Sequence, residues 1–274
     1  MLGVRSLFAL VLLVQLIFLV QSEGRQNENM HDFSAFRVGA AQSNIRDVEK
    51  ENDYWIKNAV DRLHHRALHL KPNTKIAKNI ILFLGDGMGV STQTAARIYQ
   101  GQLRGDNGEE NSLFFETLPY SGVSKTYCVD AQVADSACTS TAYTNGVKAS
   151  IGTMGLNGKV SYGDCDGSKN ESSHTSSIVQ WAIEAGKSTG VVTTTRITHA
   201  SPGGTYAHTA SRDWECDTDL PKGVDCEDIA SQLINMYPGN KINVLLGGGR
   251  SKFTKRTEGG QRLDKDLLKI YEVQ

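Results

Sequence analysis

Asn79-Ile80-Ile81-Leu82-Phe83-Leu84-Gly85-Asp86-Gly87-Met88-Gly89-Val90-Ser91 is an apolar run that ends in a carboxylate set between glycines. Residues Asn79 to Leu84 do not alternate apolar with polar, so they predict a strand buried on both faces, as in a parallel sheet. Gly85, Gly87 and Gly89 let the backbone approach whatever Asp86 holds, and Ser91 is expected to cap a helix running through Tyr99. A strand, a glycine-rich turn and a helix also describe a dinucleotide-binding unit. That unit needs Gly-x-Gly-x-x-Gly. Here an acid stands between the first two glycines, where it would repel a pyrophosphate. A carboxylate in such a turn calls for a cation instead.

Outward from this run, further strands are expected at Ser121 to Tyr127, Thr189 to Thr194 and Ile242 to Leu246. Helices are expected at Asp47 to Leu70, Ser176 to Ala185 and Asp225 to Met236. Strands alternating with helices predict an α/β fold, a central, largely parallel sheet flanked by helices. Ligands of such sheets gather outside the carboxyl ends of the strands, where Asp86 falls. Ser150 to Ser173, rich in Gly, Ser and Asn, predicts a surface loop. His65 and His69 on the first helix have a spacing that would allow a metal pair, with His64 beside them. No acid of a zincin motif lies between them, so all three read as a solvated face.

Val133-Ala134-Asp135-Ser136-Ala137-Cys138-Thr139-Ser140-Thr141-Ala142-Tyr143 places one serine after an aspartate at the head of a helix-compatible run. Either residue serves as an ordinary N-cap. Ser136 also reads as a nucleophile. A hydroxyl is a poor nucleophile at neutral pH and needs a base or a metal ion to lower its pKa, while free N–H groups at a helix start favour a phosphate oxygen. Asp135, Ser136 and His199 together suggest a hydrolase triad, but no Gly-x-Ser-x-Gly elbow surrounds Ser136. Two other runs stand out: Val191-Val192-Thr193-Thr194-Thr195-Arg196-Ile197-Thr198-His199-Ala200-Ser201-Pro202 and Ser211-Arg212-Asp213-Trp214. Ser201 before a proline is a common turn start, and Arg212 offers a planar fork that grips two phosphate oxygens.

These four runs resemble the alkaline phosphatase family. The resemblance implies that Asp86 binds metal, that Ser136 binds metal and becomes phosphorylated, and that Ser201 is a magnesium ligand with His199 near that ion. It implies that Arg212 binds the phosphate, with Asp135 beside the substrate. Zn²⁺ and Mg²⁺ are the cofactors it implies, and small phosphate monoesters, not nucleic acid, the partners. Hydroxyl and carboxylate oxygens suit Mg²⁺. Cys165 and Cys226 match a disulfide of the animal enzymes. Cys128, Cys138 and Cys216 have no implied partner, and no calcium ligand is carried over from the shortened stretch Arg250 to Gly259. Sulfatases and phosphodiesterases of the wider metal-dependent group fit less well, because the Asp135-Ser136 pair and the Arg212 run favour the alkaline phosphatase branch.

The resemblance runs from about Trp55 to Leu267 and corresponds to the N-terminal half of such an enzyme. In the family the other half holds the Asp and His ligands of both zinc ions, the magnesium-binding Glu and a lipid-anchor signal. The family is usually homodimeric, and the same is expected of a complete chain. Two functions are therefore expected as alternatives. One is metal-dependent phosphomonoester hydrolysis through a phosphoserine. The other is a secreted, non-catalytic binding protein with an alkaline phosphatase-like fold, incomplete at its C-terminal side.

Composition limits the rest. The 274 residues carry a formal net charge of −1, which leaves no electrostatic footprint for nucleic acid. Met1 to Ser22 places an arginine before the apolar run Leu7 to Val20, which predicts a signal peptide. A membrane anchor is the competing reading, but a span takes roughly 20 apolar residues. Residues 23–45 form a polar arm, and 46–274 the domain. An extracellular or outer-surface location permits disulfides among the 5 cysteines and leaves at least one unpaired within the chain. Asn170-Glu171-Ser172 is a glycosylation sequon in a polar stretch.

Overall fold

A computed structural model of the chain describes residues 48–68, 74–263 and 266–268. The expected signal peptide, the whole polar arm and His69 lie outside them. The described residues fall into two compact units.

The first unit holds α1 (Asn52–Leu68) and α2 (Val90–Gln102). Ser91 is the second residue of α2, inside the helix and not capping it. Arg97 on α2 pins the short turn Phe114–Thr117 by donating from Nε to both Glu116 oxygens, each at 3.0 Å. The Arg97 hydrogen bond holds the Glu116 carboxyl down at about 2. His64 and His65 are exposed on α1, as expected of a solvated face.

The second unit contains α3 (Ser136–Asn145), α4 (Cys165–Lys169), α5 (Ile178–Glu184), β1 (Gly190–Arg196), α6 (Ala200–Gly203), α7 (Ile229–Asn235) and β2 (Val244–Gly248). β1 and β2 pair in parallel, with Gly190 opposite Val244 and Arg196 opposite Gly248. A parallel pair requires a crossover, and α7 lies within it. The α/β class is therefore observed, with two strands among the described residues where a larger sheet was expected. Asn79 to Leu84 is not a buried strand: it has no regular structure, with Ile80 71% and Phe83 90% exposed. A strand exists through its neighbours, and no ladder partner meets this run among the described residues. The same holds for Ser121 to Tyr127. Ser150 to Ser173 is also corrected. It is no simple surface loop, since Met154 and Leu156 are fully buried and Met154 exchanges backbone bonds with Thr209, both at 2.9 Å.

The core gathers Ala137, Met154, Val179, Ile197, Ile229 and Leu233, so it lies between the helices and one face of the strand pair. Asp228 fixes the head of α7 by accepting from Ser231 N at 2.9 Å, and Arg262, 1% exposed, donates to its two oxygens at 2.8 and 2.9 Å. α3 and α6 approach so closely that a Cβ on Gly204 would lie 2.2 Å from Ser140 Oγ. That contact requires glycine and brings Ser136 and Ser201 to the same side of the unit.

Cys165 is bonded to Cys226, as the resemblance implied. Cys128 and Cys138 form a second bridge, leaving Cys216 free and buried. The first bridge closes 61 residues of chain, so replacing both of its cysteines with serine should lower unfolding free energy by about 2–4 kcal/mol. Denaturant midpoints would show it, and an unchanged midpoint would exclude a structural role. Asn170 is exposed, with Ser172 donating to its Oδ1 at 2.9 Å.

His208 stacks on His174 with ring centroids 4.2 Å apart, and its Nδ1 lies 2.7 Å from the Gly155 carbonyl. Burial first, then His174, pushes the His208 pKa down to about 4. The unfolded imidazole titrates near 6.5, so the unfolded state binds the proton first and stability is lost as pH falls from about 6.5 toward 4. Between pH 7 and 5 the loss from this group should reach about 2 kcal/mol. Urea midpoints of the protein and of His208→Gln should therefore diverge at pH 7 and converge at pH 5; parallel pH profiles would contradict this.

Candidate functional site

Asp135, and not Ser136, is the N-cap of α3. Its side chain accepts from Ala137 N at 3.1 Å and Cys138 N at 3.2 Å, and it also takes Gly152 N at 3.0 Å and Arg212 Nη1 at 3.0 Å. Burial pushes this carboxyl up, but the three N–H groups and the guanidinium outweigh it and hold the pKa below its ordinary value. Ser136 is thereby the first residue of the helix, half-buried, with its hydroxyl beside the positive helix end.

Arg212 is held from behind by its own N–H, which donates to Gly152 O at 2.8 Å. Its Nη1 is shared between Asp135 and Ser136 Oγ, the latter also at 3.0 Å, and its Nη2 meets His199 Nε2 at 3.0 Å. A guanidinium only donates, so Nε2 accepts and the imidazole proton sits on Nδ1. That Nδ1 is buried with no hydrogen-bond partner. Burial, then the charge of Arg212, lowers the His199 pKa.

Ser201, on α6 just beyond the N-cap His199, donates from Oγ to Asp86 Oδ2 at 2.6 Å. Asp86 also acts through space on His199, opposing the lowering of its pKa. Ser136, Arg212, His199, Ser201 and Asp86 thus form one cluster at the carboxyl end of β1, as the α/β rule predicts. Two groups were missed by sequence reasoning. Tyr143 sits seven residues after Ser136, two turns along α3. Burial raises its pKa to about 12, an effect that Ser201 opposes and the charge of Asp86 reinforces. Glu215, three residues past Arg212, binds Thr198 and Arg196. Helical spacing could have pointed to the tyrosine. Nothing local marks the glutamate.

The donor set fits a hard cation on one side. Asp86 and Ser201 contribute a carboxylate and a hydroxyl, the oxygen donors Mg²⁺ prefers. Among the described residues the one group of three potential His, Cys or acidic ligands is Cys128, Asp135 and Cys138, and its sulfurs are spent in a disulfide. For zinc, Asp86 and Ser136 are two groups where a catalytic site normally takes three.

A family model described as alkaline phosphatase matches residues 77–274. The chain is 49% identical over 229 residues to a membrane-bound alkaline phosphatase of Bombyx mori, an alignment covering 81% of this chain and 42% of that protein. It is 46% identical over 244 residues to the tissue-nonspecific isozyme of Gallus gallus, covering 83% and 46%. A solved cold-active alkaline phosphatase from a psychrophilic Shewanella is 27% identical, with a TM-score of 0.48 over 66% of this chain and 40% of that one. The chain spans under half the length of the curated relatives it matches.

Proposed function

The chain belongs to the alkaline phosphatase family, and from that premise we propose that it supplies the nucleophile and the phosphate-gripping arginine of a phosphomonoesterase. The observation that carries this reading is the shared guanidinium. Arg212 Nη1 lies 3.0 Å from Ser136 Oγ while Nη2 is turned to His199, so a phosphoryl group approaching the hydroxyl meets a cation already aimed at its oxygens. Ser136 Oγ forms the bond to phosphorus as the ester P–O bond breaks and the alcohol leaves. Water then cleaves the phosphoserine, releasing inorganic phosphate and restoring the hydroxyl. Arg212 positions the group through both steps, which suits a reaction governed by alignment and charge stabilisation.

Mg²⁺ is assigned to Asp86 and Ser201, with His199 near that ion. Zn²⁺ is assigned to Asp86 and Ser136, completed by ligands beyond this cluster. Bound cations supply the charge that makes a serine hydroxyl reactive at neutral pH. Small phosphate monoesters are the substrate class, and the reading includes glycosylation at Asn170, a homodimer for the whole protein and placement at the outer cell surface, as the name of the Bombyx mori relative suggests. The test is covalent trapping in the whole protein that carries this segment. After turnover of a radiolabelled monoester and acid quench, the label should map to the peptide holding Ser136. Label on another residue, or none, would defeat the assignment.

A further inference from the structure

We propose that Glu215 is a positioning residue that fixes Arg212 relative to His199 and so sets how tightly the site holds phosphate; this rests on the role just given to Arg212. Glu215 is 8% exposed and has no opening to a ligand of its own. Its carboxylate instead joins the two segments on which the site is built. Arg196 Nε donates to it at 3.0 and 2.7 Å, Arg196 Nη2 at 2.7 Å and Thr198 Oγ1 at 2.5 Å. Arg196 ends β1, and its carbonyl accepts from His199 N at 3.0 Å. Thr198, fully buried, is the neighbour of His199.

The other end of the link is equally fixed. Glu215 O accepts from Ala230 N at 3.1 Å and Trp214 O from Ile229 N at 2.9 Å, which anchors the stretch after Arg212 to the first turn of α7. Between the arginine and the histidine themselves there is one 3.0 Å contact, from a guanidinium to an imidazole whose pKa is lowered in part by that guanidinium's charge. Such a contact cannot hold two segments together unaided. The buried carboxylate costs desolvation and returns little net stability; what it supplies is a fixed distance between two groups that must meet one phosphate.

The test uses the whole protein with Glu215→Gln and Thr198→Val, each keeping side-chain shape. KM for a monoester and the inhibition constant for inorganic phosphate should rise together by about tenfold, with kcat changed less than about threefold, as expected for a gripping group displaced by a fraction of an ångström. The double variant should be no worse than either single one, because both remove the same link. Folded variants with a lower unfolding temperature but unchanged phosphate affinity would reduce Glu215 to a structural ion pair and overturn the inference. If Glu215→Gln does not fold, Thr198→Val decides alone. Arg212→Ala separates the two levels. If it leaves phosphate affinity unchanged, the role of Arg212 fails; if it weakens phosphate while the Glu215 and Thr198 variants do not, only the present inference fails.

Discussion

Ser136→Ala in the whole protein is expected to lower kcat/KM for a phosphate monoester by about 10⁴-fold or more, the scale seen when a nucleophile is removed from a covalent mechanism. Stability should stay within about 0.5 kcal/mol. The second expectation follows from the contacts. The cap of α3 is Asp135, so losing the serine hydroxyl removes no capping bond. Arg212 keeps Asp135 Oδ2 at 3.0 Å and His199 Nε2 at 3.0 Å, so the guanidinium stays in place. The variant should therefore still bind inorganic phosphate within a fewfold of the parent while accepting no label. Substantial turnover would show that another group attacks phosphorus. A loss of phosphate binding as large as the loss of rate would show that Ser136 anchors substrate and does not react.

The parts of the site legible in the sequence are those whose chemistry is local. Asp135-Ser136 before a run of small residues signals a helix start, and the helix begins there, although the choice of cap between the two needed the observed bonds from Ala137 and Cys138. Asp225 to Met236 shrinks to Ile229–Asn235 because Asp228, with an oxygen for Ser231 N, is the stronger start signal. Asn79 to Leu84 shows the limit. A continuous apolar run states that a segment needs covering, not what covers it, and here Phe83 is 90% exposed. Pairing of cysteines is equally non-local: nothing in a separation of 10 residues distinguished Cys128–Cys138 from a bridge to Cys216. Ser150 to Ser173 misled by composition, since its glycines and serines surround Met154 and Leu156, which the core takes in completely. Glu215 acts through Thr198, 17 residues away by number, beyond any local pattern.

Asp86→Asn should separate the charge of the cation site from its shape. Asparagine keeps an oxygen for the Ser201 hydroxyl, which now donates to Asp86 Oδ2 at 2.6 Å, so the pair survives in outline. What disappears is the negative charge that makes two oxygens competitive with water for a divalent ion, because Mg²⁺ gives up its hydration reluctantly and favours anionic donors. Elemental analysis of the dialysed whole protein should show magnesium reduced relative to the parent, and kcat/KM should fall by roughly 10²–10³-fold, the scale of removing one preorganised electrostatic partner. Ser201→Ala should cost less, since it deletes a neutral donor and leaves the carboxylate. The Tyr143 hydroxyl, within the field of Asp86, reports on the same charge independently of turnover. In the metal-free protein its ultraviolet titration should move to lower pH in Asp86→Asn, because a nearby anion opposes phenolate formation. If magnesium content, turnover and the tyrosine titration all match the parent, Asp86 is not at the cation site and the oxygen pair is a surface hydrogen bond.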